Sequence, residues 1–149
     1  MKANVELHST TKTTTVLGLV FEGFGLLMMV LGLVFLQLLS TLSINDLMAE
    51  GLSNSDAQLV LFVGAVLRLV LLVMTLVVGA FFMLNLWLFT KLIKQRYDYE
   101  TAQKVLLYQA IYGGFNMLFN QITGVLYLIS GLTGRNNLKV PQEQVREGL

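Results

Sequence analysis

Charge is nearly absent from three long stretches of this chain, and that spacing limits its fold more than any motif does. Thr13 to Asn45 is interrupted only by Glu22, Ala57 to Thr90 only by Arg68, and Val105 to Gly134 carries no charge. Each stretch exceeds the ~20 apolar residues that a bilayer core requires. The connecting segments are short and polar: Ser43 to Asp56 holds Asp46, Glu50 and Asp56, and Lys91 to Lys104 holds Lys91, Lys94, Arg96, Asp98, Glu100 and Lys104. Lipid offers no hydrogen-bond partners, and no segment alternates like a barrel strand, so helical spans are expected. Composition agrees. The 149 residues are 55% hydrophobic and 13% charged, with mean hydropathy +0.70 and no cysteine, which excludes disordered and disulfide-stapled classes. A formal charge of +1 gives no reason to expect a nucleic-acid partner.

The predicted fold is an all-α integral membrane protein, a compact transmembrane bundle with no soluble domain. Its spans lie near 15–42, near 57–92 with an outer extension, and over 101–134 as one long helix or a short hairpin. The first apolar run is too long for a cleaved leader and reads as a signal anchor. Basic residues collect on the cytoplasmic side. That rule places Lys2, Lys12 and the Lys91 to Lys104 loop inside, and the first loop, which has no basic residue, outside.

The last third carries two conflicting signals. Arg135, Lys139 and Arg146 belong inside, which requires a hairpin and four crossings. A hairpin leaves only about 15 residues per arm, roughly 22 Å of helix. Gln109, Gly113, Asn116, Asn120, Thr123 and Tyr127 also recur at spacings that place them on one face of a single helix. Four spans are expected over three, with the turn at Gly113-Gly114 or Asn120-Gln121.

Candidate sites are few. Glu22 shares a helix face with Gly18, Gly25 and Gly32, three glycines at seven-residue intervals that suit close helix packing in lipid. A charge deep in a span costs roughly 2.5–3.5 kcal/mol, which makes Glu22 a candidate proton or cation site as well as a structural one. Arg68 reads as a snorkelling residue or a partner for Glu22. Asn85, Gln109, Asn116 and Asn120 supply amides that act as interhelical adhesive or line a polar path. The sequence offers no catalytic constellation, metal cluster or phosphate loop, so no enzyme activity and no cofactor is expected. His8, the single histidine, falls in the N-terminal tail and reads as solvated.

The order of features is a Gly-rich first helix behind Lys12-Thr13-Thr14-Thr15, a short outer loop, and a second helix ending in Lys91-Leu92-Ile93-Lys94. Gly113-Gly114-Phe115 follows, before a last helix closed by Arg135. This layout resembles an uncharacterised family of small bacterial four-span membrane proteins, a domain of unknown function. The resemblance implies a topology and a bacterial origin, and carries neither an activity nor a site residue.

The expected function is that of a non-enzymatic accessory, assembly or interaction subunit in the cytoplasmic membrane. It would work by helix packing with itself or a larger membrane partner. One alternative is an oligomeric transporter or channel component lined by Glu22 and the amides. Another is an immunity or stress protein that binds a membrane-active toxin.

Overall fold

The computed structural model describes residues 5–139. Its elements are α1 (Ser9–Leu39), α2 (Ile44–Ala49), α3 (Asn54–Ile93), α4 (Tyr99–Asn116) and α5 (Gln121–Asn136). Two of them, α1 with 31 residues and α3 with 40, are long and apolar enough to cross a membrane.

Local chemistry explains most boundaries. Ser43 opens α2 with a capping box: its hydroxyl accepts from the Asp46 amide at 3.2 Å, and its own amide donates to the Asp46 carboxylate at 2.8 Å. Gly51, at φ 93°, then takes the left-handed conformation that ends this short helix. Ser53 caps α3, accepting from the Asp56 amide at 3.2 Å. Asp98 caps α4 through the Thr101 amide at 2.9 Å.

The stretch expected as one helix or a hairpin is two helices, with Met117 to Asn120 between them. The Asn120 side chain accepts from the Thr123 amide at 3.3 Å and so caps α5. The single-face pattern from Gln109 to Tyr127 therefore belongs to two antiparallel helices, and Asn116 and Asn120 serve the break between them. Asparagine competes for backbone groups in this way, which a count of spacings does not register. Gly113 is not in the turn. A Cβ there would meet the backbone of Gly124, Tyr127 and Leu128, and one on Gly131 would meet Ala110 and Leu106. These glycines let α4 and α5 approach to backbone contact. Gly114 faces open space.

The chain forms two compact units. One runs through Gly23 and resumes at Phe82, so it holds the start of α1, the end of α3, and the α4–α5 hairpin. Its core is Phe89, Leu92, Ala102, Val105, Leu106 and Tyr127, closed by Val5, Leu7 and Leu138. Glu6 pairs with Lys139 in an isolated antiparallel bridge, and the Val5 amide donates to the Tyr97 carbonyl at 3.4 Å. Residues 5–6, 97 and 139 thus lie at one end of this unit. The other unit, Phe24–Phe81, comprises the rest of α1, α2 and most of α3. Among the described residues it fully buries only Ala57.

Candidate functional site

The buried face of α1 is Thr11, Thr15, Gly18 and Glu22, spaced four, three and four. This face continues the predicted glycine stripe toward the N-terminus. Gly18 stands against the ring of Tyr127, which occupies the space where a Cβ would be. That vacancy lets α5 bring a phenol to the carboxylate one turn further along α1.

Glu22 is 3% exposed. Its Oε1 accepts from Asn85 Nδ2 at 2.9 Å and from the Tyr112 hydroxyl at 2.5 Å; its Oε2 accepts from the Tyr127 hydroxyl at 2.6 Å. Tyr108 donates to Asn85 Oδ1 at 2.8 Å and so fixes the orientation of the amide. Helix spacing supplies the pair on α4, since Tyr108 and Tyr112 lie four apart and stack with ring centroids 5.8 Å apart. Phe89 closes the cluster edge-on to Tyr127 at 5.1 Å. All three donors to the carboxylate are neutral. They can hold the ionised form by charge-assisted bonds, and a proton on Glu22 requires one phenol to turn from donor to acceptor.

A second cluster lies along the same face. The Thr15 and Ser130 hydroxyls are 2.6 Å apart, Gln109 Nε2 donates to Thr15 at 3.0 Å, and Ser130 reaches the Thr11 carbonyl at 3.1 Å. Thr15, Gln109 and Ser130 are fully buried. In this second cluster Gln109 bonds only to hydroxyls.

The candidates named from sequence therefore separate. Glu22 and Asn85 are bonded to each other, and Gln109 joins the neighbouring cluster. Asn116 is half-buried at the end of α4, and Asn120 caps α5. Arg68 lies in the other unit and is exposed. Gly18 packs as described, a Cβ on Gly32 would lie 3.2 Å from Leu71, and Gly25 is half-buried. His8 is exposed, and its Nδ1 accepts from the Thr10 amide at 3.3 Å at the start of α1.

Sequence reasoning missed Tyr108, Tyr112, Thr11, Thr15 and Ser130 as site residues, and took Tyr127 only as part of a stripe. The available signal was the pair of phenols four apart, Tyr108 and Tyr112, in an uncharged segment. No family model, curated protein or solved structure matches the chain.

Proposed function

We propose that this chain is a multi-pass membrane protein that acts without chemistry of its own, as an accessory or assembly subunit packing against other membrane helices. The bilayer is that of a bacterial cytoplasmic membrane, with the N-terminus inside. The observation that carries this reading is the surface of Phe24–Phe81. Two long helices there present many large apolar side chains outward, among them Phe35 at 60% exposed, Leu59 at 61%, Phe62 at 68% and Leu76 at 65%. Water does not tolerate such a surface, whereas lipid and neighbouring helices do.

Cross-linking in intact membranes through a photoreactive group at Phe62 tests it. A discrete dimer or heteromeric band is the expected result, and monomer alone sinks the reading. Carbonate extraction tests membrane integration separately.

A second reading is favoured by Glu22, a buried carboxylate whose three bonded donors are all neutral. In it, Glu22 is the proton site of a small transporter or channel component. Proton flux in liposomes would then exceed that of empty vesicles and fall at least tenfold in Glu22→Gln. Equal flux in all three preparations removes this alternative.

A further inference from the structure

The α4–α5 hairpin has the wrong length for a pair of crossings and the wrong surface for a water-borne arm. The ion pair between Lys104 and Glu100, 2.6 Å apart with side chains 73% and 79% exposed, marks where α4 leaves water. Arg135 marks where α5 returns to it. From Lys104 to Asn116 the helix covers about 18 Å, and from Gln121 to Arg135 about 21 Å, at 1.5 Å per residue. A hydrocarbon core is about 30 Å thick. By contrast, α1 alone supplies about 36 Å from Thr15 to Leu39.

The tip is apolar and turned outward. Phe115 is 68% exposed, and Leu118 and Phe119 are each 78% exposed. Turns that meet water are built from Gly, Pro, Asn, Asp and Ser, each for its backbone or hydrogen-bonding properties. Here Leu118 and Phe119 occupy the centre. Among residues 115–122, Gln121 is the exposed polar side chain, and an uncharged amide costs far less at depth than a charge.

The backbone of the turn is also adapted to a medium without water. The amides of Met117, Leu118, Phe119 and Asn120 all donate within it, to Gly113 at 3.0 Å, Phe115 at 3.2 Å, and Asn116 at 3.0 and 2.7 Å. The Asn120 side chain then takes the Thr123 amide. Open donors in hydrocarbon cost several kcal/mol each, and this turn leaves none of those five open.

We infer that α4–α5 is a re-entrant hairpin: it enters the bilayer from the face that carries Lys91 to Lys104 and Arg135, and turns back inside the hydrocarbon. Phe115, Leu118 and Phe119 are bedded among lipid acyl chains about 10 Å short of the far boundary. The inference rests on the membrane reading above and replaces the third and fourth crossings with a single dip from one side. Glu6 and Lys139 both stay on that side, as their pairing requires.

The natural chain has no cysteine, so single-cysteine labelling needs no background substitutions. Phe119→Cys, with Leu118→Cys as its companion should either fold poorly, is treated with a membrane-impermeant maleimide in intact cells and in inverted vesicles. Asn45→Cys and Lys94→Cys serve as references for the two faces. The expected result is labelling of the tip from neither face, at least tenfold slower than both references, and full labelling once detergent dissolves the bilayer. A spin label at 119 should then be more accessible to oxygen than to a water-soluble nickel chelate. Labelling from the Asn45 face overturns the inference in favour of a complete crossing, and labelling from the Lys94 face overturns it in favour of a hairpin outside the membrane. If both references label from the same face, the membrane reading itself fails.

Discussion

The two hydroxyls that serve Glu22 directly and through its amide partner do not have equal weight. The phenol of Tyr127 donates directly to the carboxylate at 2.6 Å, whereas that of Tyr108 reaches only the neutral Asn85 amide at 2.8 Å. If the carboxylate is ionised, Tyr127→Phe should lower unfolding free energy in detergent by about 1.5–3 kcal/mol and Tyr108→Phe by about 0.5–1.5 kcal/mol. Equal losses would mean that Glu22 is neutral in the folded state. Asp46 gives a pH-dependent counterpart outside the apolar helices. Hydrogen bonds from the Ser43 side chain, and then its backbone, hold this exposed carboxyl below its ordinary range. A carboxyl lowered by folding stabilises at pH above its unfolded value and loses that contribution as pH falls through the folded one. The α2 cap should therefore loosen below about pH 4, and amide exchange at Leu47 should quicken there beyond its intrinsic rate. In Asp46→Ala that acid-dependent step should vanish.

Helix contacts in the hairpin depend on which glycines face backbone and which face space. Gly131→Ala places a methyl against Ala110 and the Leu106 carbonyl, and should cost about 1–3 kcal/mol through overpacking. Gly114→Ala meets nothing within 4 Å, and should stabilise by up to about 1 kcal/mol by raising helix propensity. Thermal unfolding of the two variants reads the contrast, and a loss at Gly114 would contradict the open space there. Much of this level was legible beforehand. Charge spacing alone located α1 and α3 because helix length and hydropathy are local properties. The break at Met117 to Asn120 was harder to read, since Asn120 fits both a helical repeat and a capping role, and only tertiary contact between Gly113 and Gly124 decides between them. The tyrosines around Glu22 were hidden for a related reason. Their rings count as apolar in any hydropathy reading, and nothing local to a phenol says that a carboxylate from another helix will meet it.

On the scale of the molecule, residues 5–7 and 138–139 are structural parts. Val5 and Leu7 are buried with Leu138, and Glu6 pairs with Lys139, so the first and last described segments close the same core. Leu138→Ala should cost about 2 kcal/mol, measured by denaturant unfolding, although the position looks like tail in the sequence. The same long reach governs Glu22. Its three partners, Asn85, Tyr112 and Tyr127, lie 63, 90 and 105 residues further along the chain. At about 5–20 residues per second the ribosome takes roughly 5–20 s to deliver the last of them. On the membrane reading proposed above, α1 enters the bilayer before any of these donors exists. On that reading the carboxylate enters without the three groups that later bond it, and Tyr127 on α5 is the last of them to arrive.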